Sequence, residues 1–507
     1  MKQLQMDLEE DKLKEEKEIH THIRIDSNIK IFNPSKMIIN YCLKHLVVRN
    51  PDYEFYRRRN KLKFAELNNV PEKIKCFEFE PTMQMLTIPF GMLKHFWGGY
   101  IKELPYDVKF NHTEDISIKG IEPLKTPRDY QEKAVSKMIE AKGGILVSPC
   151  GSGKTFMGQM IVQRIGKRFL WLTHTKDLLN QTYDAFKENF PDIKISKFDS
   201  KKKAFGEDGT IATVQSLINQ DPLTYEKQFE IIICDECVHT VGSIKSVSAF
   251  AKILNNVKAR YKFGLTATPS RSDDLIKTMY MYLGCDKNGK LEPTYVVPSD
   301  VVSTIESVHL RYDLDTKDEE KAYTTFIKRT DKNGNIKKTP QIDYKKLIDY
   351  LIEQKDRTEA IANNVLMNAL NNRKQVILCS RLSEIDSYYD FLNPHIKAVK
   401  INAKTKDKKR KEILNHPETW DVLIATYSLL KEGTNIPSLD TLHLATPIVA
   451  KGNIVQCAGR IERIYTGKQQ PVIFDYVDAN IKYLEIAYYR RERSLRDRYK
   501  KIEKEED

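Results

Sequence analysis

At 507 residues the chain is too long for one hydrophobic core and falls in the range of roughly three domains. Lys and Arg outnumber Asp and Glu by 83 to 70, a formal charge of +13, which favours a polyanionic partner such as nucleic acid over an acidic small molecule. Asp7 to Lys17 is almost wholly charged, and no apolar run approaches the roughly 18 residues of a membrane span, so neither a secretion signal nor membrane insertion is expected and the protein should be soluble.

Residues 1–115 read as a separate accessory domain. Ile23-Arg24-Ile25 and Leu86-Thr87-Ile88-Pro89-Phe90 suggest strands around a helix over Ile38 to Val48. Within it, Arg57, Arg58 and Arg59, with Lys61 and Lys63, interleave with Tyr53, Phe55, Tyr56 and Phe64. That mixture suits phosphate neutralisation beside base stacking, and equally suits an amphipathic element whose aromatics belong to the core.

From about Lys142 short apolar runs alternate with amphipathic stretches, the pattern of a parallel sheet covered by helices. Gly144 to Val147, Phe169 to Leu172, Ile211 to Thr213, Ile231 to Cys234 and Tyr261 to Leu265 read as strands of one α/β unit, assigned to 116–295. Gln375 to Cys379, Ala398 to Ile401, Val422 to Ala425, Thr441 to Leu444 and Pro471 to Phe474 repeat the theme in a second, 296–507. Helices are expected near Arg357 to Asn371, Ser383 to Leu392 and Asn453 to Gly459. The charged stretch 313–345, with the turn signal Asp331-Lys332-Asn333-Gly334-Asn335, reads as an excursion from the second unit. The basic run from Arg490 through Arg491, Arg493, Arg496 and Arg498 to Lys501 reads as a solvated terminal helix.

Eight cysteines scattered through a long chain indicate a reduced protein, not a disulfide framework. Cys234 and Cys237 form a lone C-x-x-C enclosing Asp235-Glu236. No second pair follows to complete four zinc ligands, so they read as buried bystanders.

Three segments carry chemistry. Ser148-Pro149-Cys150-Gly151-Ser152-Gly153-Lys154-Thr155 follows one strand and opens a helix. Gly151, Ser152 and Gly153 give the tight backbone that aims N–H groups at anionic oxygens, Lys154 a mobile cation for terminal phosphates, and Thr155 a hydroxyl for Mg²⁺. Ser148 stands where the common pattern has glycine. Asp235 ends a strand, where its carboxylate can hold Mg²⁺, and Glu236 beside it can orient or deprotonate the water that attacks a γ-phosphate. Arg460 and Arg463, three apart, share a face if helical, with Gln456 one turn back; such a row can bring positive charge to a transition state.

With those residues in hand the chain resembles the superfamily-2 helicases, whose fold is two tandem RecA-like parallel-sheet domains; here they would follow a small α+β accessory domain. Pro127-Arg128-Asp129-Tyr130-Gln131 resembles the adenine-recognising Q motif, which implies a nucleotide-binding role for Gln131 and Arg128. Thr173 to Leu178 resembles motif Ia, whose Thr175 and Lys176 would touch the nucleic-acid backbone, and Ala212-Thr213-Val214-Gln215 resembles a later strand-contacting motif through Thr213 and Gln215. Thr266-Ala267-Thr268-Pro269 resembles motif III, which couples hydrolysis to the strand through Thr266 and Thr268. Leu378 to Arg381, Thr426 to Asn435 and Gln456 to Arg463 resemble motifs IV, V and VI. By that likeness Arg381 and Thr426 contact nucleic acid and Gly433 the nucleotide.

Within the superfamily the wording of Tyr261 to Pro269 resembles the XPB, restriction-motor and phage UvsW group, and Ile88-Pro89-Phe90-Gly91-Met92 resembles the end of a DNA-binding accessory domain. Two positions depart from the group: Val238 stands where a motif II His is usual, with His239 one place later, and Asn435 where Asp is common. The resemblance implies an ATP- and Mg²⁺-dependent DNA helicase or translocase acting on single-stranded, duplex or branched DNA in replication, recombination or repair, a monomer in bacterial or phage-infected cytoplasm. An RNA helicase and an ATP-switched nucleic-acid clamp without directional movement remain as alternatives.

Overall fold

A computed structural model describes residues 21–99, 107–110, 117–118, 122–149, 151–240, 248–267, 269, 275–286, 288–298, 304–310, 323–330, 336–427, 429, 436–447, 451–463 and 465–500. The chain divides into two compact units, Met1–Val147 with Thr155–Val296, and Ser148–Lys154 with Val297–Asp507.

The first unit opens with β1 (His22–Ile25), β2 (Asn28–Phe32), β3 (Val47–Arg49), β4 (Lys73–Lys75), β5 (Glu78–Glu80), β6 (Met85–Pro89) and β7 (Asp107–Phe110). Five of them form a sheet in the order β5-β6-β2-β1-β7, antiparallel except for the β1–β7 pair. Strand alternation puts Ile23 and Ile25 inside and His22 and Arg24 outside. Ile29, Ile31, Leu86 and Ile88 extend the buried face, and helix Lys36–His45 covers it with Ile38, Tyr41 and Cys42. That helix starts where Ser35 Oγ accepts from Ile38 N. It stops at His45, short of the expected Val48, because β-branched Val47 and Val48 enter β3 and pair with β4.

The same unit continues with β8 (Gly143–Val147), β9 (Phe169–Thr173), β10 (Ile195–Phe198), β11 (Gly209–Thr213), β12 (Ile231–Asp235), β13 (Tyr261–Thr266) and β14 (Tyr295–Val296). They form one parallel sheet in the order β10-β11-β9-β12-β13-β8-β14. The five strands expected from apolar runs all form and lie in its centre, wholly buried in β9, β11 and β12, as a sheet covered on both faces requires. The two unexpected strands, β10 and β14, are at its edges.

The second unit holds β15 (Thr304–Leu310), β16 (Thr324–Thr330), β17 (Ile336–Ile342), β18 (Gln375–Cys379), β19 (Ala398–Ile401), β20 (Val422–Thr426), β21 (Thr441–Leu444) and β22 (Val472–Asp478). Six make a parallel sheet in the order β15-β22-β21-β18-β20-β19. β16 and β17 stand apart as an antiparallel ribbon, the charged excursion expected there; its turn signal at 331–335 is outside the described residues. Helices Tyr344–Glu353, Lys355–Leu370, Leu382–Leu392, Asp407–Asn415, Lys451–Ile461 and Lys482–Lys500 accompany these strands. The last is not wholly solvated, as the basic run had suggested: Arg491 and Leu495 are buried. No described helix is long and apolar enough to cross a membrane.

Candidate active site

Register assembles the site at one end of the first parallel sheet. β8 ends at Val147, which pairs with Thr266 at the end of β13; β12 ends at Asp235, opposite Leu265 of β13. The loop leaving β8 therefore starts two strands from the acidic pair, with Thr266 between them. That loop feeds helix Lys154–Ile165, so Lys154 and Thr155 occupy its first turn, where unsatisfied N–H groups favour an anion.

The loop backbone is shaped for phosphate. Gly151 and Gly153 have φ of +87° and +83°, a conformation L side chains rarely adopt. Ser152 Oγ donates to Pro149 O at 2.7 Å and is joined by a short hydrogen bond to the buried Ser148 Oγ. Ser148, the departure from the usual glycine, thus braces the loop through its hydroxyl.

Asp235 is 3% exposed, and its Oδ1 accepts from Glu236 N at 3.1 Å. Glu236 has φ +51°, a left-handed conformation that costs a non-glycine residue on the order of 1 kcal/mol and is found preferentially at functional turns. Gly264 admits this turn from below: a Cβ there would fall 2.8 Å from Cys237 Sγ. Cys237 packs against Met279 at 3.5 Å, and burial drives the Cys234 thiol far above its ordinary range, so both cysteines lie within the packing under the acidic pair. Val238 packs on the core, while His239, one place later, lies 4.6 Å from the His174 ring and links the acidic turn to the Thr173 to Leu178 segment of the same unit.

ATP with Mg²⁺ fits these groups: left-handed glycines at a helix start, a Lys, and a Thr hydroxyl with a buried carboxylate as hard oxygen donors. Gln131 is buried, its Oε1 accepting from Arg128 N at 3.0 Å, and Arg128 Nη1 donates to Tyr130 OH at 3.3 Å, so the proposed base-recognising pair is internally bonded at the start of helix Asp129–Ala141. Thr268 and Gly433, with Asn435, are outside the described residues.

In the second unit Gln456 and Arg460 lie four apart on helix Lys451–Ile461, on one face. The helix ends at Ile461, so Arg463 lies beyond it and does not extend that face, contrary to the expectation from spacing. The chain turns here because Lys468 Nζ donates to Arg463 O at 2.8 Å and Pro437 O at 3.1 Å, with Gly467 at φ +77°. The loop Ser148–Lys154 groups with this unit, and a Cβ on Gly151 would meet Arg463 Cγ at 2.4 Å; glycine is what admits that side chain. Gln456 Oε1 is enclosed with no hydrogen-bond partner among the described residues.

The expected nucleic-acid contacts are mostly engaged in local structure. Thr175 caps helix Lys176–Asn189, Lys176 Nζ lies 3.2 Å from Asp199, Thr213 Oγ1 donates to Ser216 Oγ, and Gln215 Nε2 donates to His174 O at 3.0 Å. Arg381 pairs with Asp349 at 3.0 Å, and Thr426 ends β20. Arg57 pairs with Glu54 at 2.6 Å, Arg58 is exposed, and Arg59 stacks over Phe55 at 4.0 Å. Helix Pro51–Arg58 buries no residue; Phe55 and Phe64 are 48% and 53% exposed and lie outside the core, while Tyr53 and Tyr56 are half-buried.

Spacing alone missed three supports. Glu384 and Thr446 both accept from Ser380 N, at 3.0 and 2.9 Å, and so fix the approach to Arg381. Lys468 holds the turn at Arg463. Thr446 and Pro437, the partners 66 and 31 residues away, leave no local signal, whereas Glu384 and Lys468 lie four and five residues from the groups they hold and match no motif spacing.

Residues 124–271 match the family described as type III restriction enzyme, res subunit, and residues 353–465 the helicase conserved C-terminal domain. A protein of Acanthamoeba polyphaga mimivirus named as an ATP-dependent RNA helicase is 26% identical over 77% of this chain and 71% of its own. The XPB helicase/translocase subunit of general transcription and DNA repair factor IIH from Danio rerio is 32% identical over 32% of this chain, a match spanning 22% of that protein. The crystal structure of T4 UvsW aligns with 94% of this chain and 97% of its own, at 17% identity and a TM-score of 0.41.

Proposed function

Because the chain belongs to the superfamily-2 helicases, ATP-hydrolysing enzymes with two RecA-like domains, we propose that it is a DNA helicase or translocase that remodels duplex or branched DNA in replication, recombination or repair. One observation carries the reading: register puts the phosphate loop, Thr266 and the Asp235-Glu236 pair on the same end of three neighbouring strands. Loop N–H groups and Lys154 hold the terminal phosphates. Mg²⁺, when bound, offsets charge on the phosphate oxygens, and Thr155 and Asp235 would hold it. Glu236 orients the attacking water and takes its proton, and Arg460 and Arg463 supply positive charge to the transition state. Thr266, on the strand between loop and acids, is placed to relay the state of the nucleotide. Movement follows if grip on the strand differs before and after hydrolysis.

DNA is favoured by the restriction-enzyme family match and by the DNA-repair relative. The exposed Arg57 to Arg59 platform with Phe55 and Phe64 suits a polyanion with stackable bases. RNA is the second reading, favoured by the name of the mimivirus relative. Stimulation of ATP turnover by matched DNA and RNA strands separates them. Strand displacement on forked, four-way and plain duplex DNA then identifies the substrate, and hydrolysis without displacement would indicate a clamp. Lys154→Ala and Glu236→Gln are each expected to lower turnover by at least about a thousandfold while leaving nucleic-acid binding largely intact. Wild-type turnover in either variant refutes the site.

A further inference from the structure

One lysine crosses the seam between the N-terminal sheet and the first parallel sheet. Lys262 lies in β13, opposite Ile232 of β12 and Gly143 of β8, and is 1% exposed. Its Nζ donates to Ser27 O at 2.7 Å and Leu254 O at 2.9 Å, and it lies 4.5 Å from the centre of the Phe90 ring. Ser27 belongs to the turn between β1 and β2, and Phe90 follows β6, so the N-terminal sheet supplies two of the three partners.

No carboxylate takes part in those contacts. The acid facing Lys262, Asp26, is engaged by Lys30 at 3.0 Å and Arg24 at 3.5 Å, and the other titratable group facing it is the Cys234 thiol of β12. Burial therefore pushes the Lys262 ammonium down to about 7, against the pull of Asp26 and Cys234. An ammonium hidden among carbonyls and a ring is an expensive way to fill a sheet position that Met would fill without desolvation. What it provides that Met cannot is a directional tie to a backbone carbonyl 235 residues away.

The rest of the seam is close-packed. A Cβ on Gly91 would fall 2.5 Å from Gly284 N and 2.6 Å from Tyr280 O, and Met281, from the helix under the parallel sheet, is part of the core formed by Ile23, Ile25 and Leu86. From Lys262 the strand runs four residues to Thr266, about 13 Å, beside Asp235.

We infer that Lys262 is a positioning residue that ties the Ser27 turn to β13, making the N-terminal sheet and the strand ending in Thr266 one lever by which nucleic acid held at the Arg57 to Arg59 platform beyond that sheet reaches the hydrolysis site. This rests on the motor reading above.

The test compares ATP turnover of the full chain, with and without duplex DNA, in wild type, Lys262→Met and Phe90→Leu. Lys262→Met is expected to keep basal kcat and the KM for ATP within about twofold while DNA stimulation falls at least about fivefold; Phe90→Leu, which removes the ring over Lys262 and leaves its carbonyl bonds, loses stimulation in the same direction and less. If Lys262→Met lacks a cooperative thermal transition, Phe90→Leu decides. Basal and stimulated turnover falling in proportion, or full stimulation in both variants of a stimulated wild type, overturns the lever alone. A wild type that no DNA or RNA stimulates overturns the motor reading and the lever with it.

Discussion

The two units bury charge in different ways. In the second, two guanidinium groups fork onto two carboxylates of one strand: Arg357 meets Asp478 at 2.7 and 3.2 Å and also donates to Ala445 O, and Arg491 meets Asp475 at 2.9 and 2.8 Å. Both acids lie on β22, so helices Lys355–Leu370 and Lys482–Lys500 are bolted to the same strand. In the first unit the buried cation among the described residues is Lys262, held on carbonyl oxygens. A guanidinium keeps its charge at any accessible pH and matches a carboxylate bidentately, whereas a buried ammonium has one compact charge and can lose its proton. The second unit is thereby pinned; the first has a tie whose strength follows its surroundings.

The strongest way to break this contrast is to strand one fork. Asp478→Ala strips the buried Arg357 of the carboxylate it forks onto while its bond to the Ala445 carbonyl stays, and is expected to destabilise the second unit by about 3 to 5 kcal/mol. The double variant Arg357→Met with Asp478→Leu should recover much of that, because no unpaired charge remains. Urea unfolding followed at the buried Trp420, with the other tryptophans replaced by Phe, reports the second unit; Trp171 reports the first. A loss under about 1 kcal/mol in Asp478→Ala would mean the fork does not pin β22.

The forks also show what the sequence could and could not reveal. The central strands of both sheets are legible because their runs are mostly apolar, interrupted by one lysine in β13 and one histidine in β21; β15, reading Thr-Ile-Glu-Ser-Val-His-Leu, is not, since it is recognisable only through its pairing with β22. The phosphate loop, the acidic pair and Arg460 can be found from local spacing because their chemistry is local. Arg463 is misplaced on the helix because the bond that ends the helical path, from Lys468, comes from the following loop. Arg491 reads as one more cation of a solvated run because its carboxylate lies 16 residues earlier on a strand. Lys262, inside Tyr-Lys-Phe-Gly-Leu-Thr, carries no hint of a partner 235 positions away.

Acid and base titration should separate the units next. Burial pushes Lys262 down to about 7, while the unfolded chain keeps an ordinary lysine, so between about 7 and about 10.4 the unfolded state holds a proton the native state has released. Stability of the first unit therefore rises with pH through that window, by up to about 1 kcal/mol per pH unit, and Lys262→Met flattens the rise at Trp171. In the second unit His443, between Tyr476 OH and Gln375 Oε1 at 2.8 Å each, is pushed down to about 3 by burial and by Arg373. Here the unfolded state takes the proton first, below about 6.5, so the Trp420 transition should weaken as pH falls from there, and His443→Gln should remove that part of the slope. Equal slopes in wild type and variant at either probe would mean the buried base does not set the pH response of its unit.

The smallest expected effect sharpens the contrast at the surface. Arg381 pairs with Asp349 at 3.0 Å, but both are well exposed, at 38% and 57% of their side-chain surface, unlike the buried forks on β22. Solvent screens such a pair, so Arg381→Ala should cost the second unit less than about 1 kcal/mol at Trp420. If Arg381 contacts a phosphate when DNA is bound, the same variant should weaken DNA binding and reduce the salt dependence of the affinity by about one charge, with basal ATP turnover unchanged. A stability loss without a change in salt dependence would assign Arg381 to the scaffold, with Ser380, Glu384 and Thr446 fixing it there for a structural purpose.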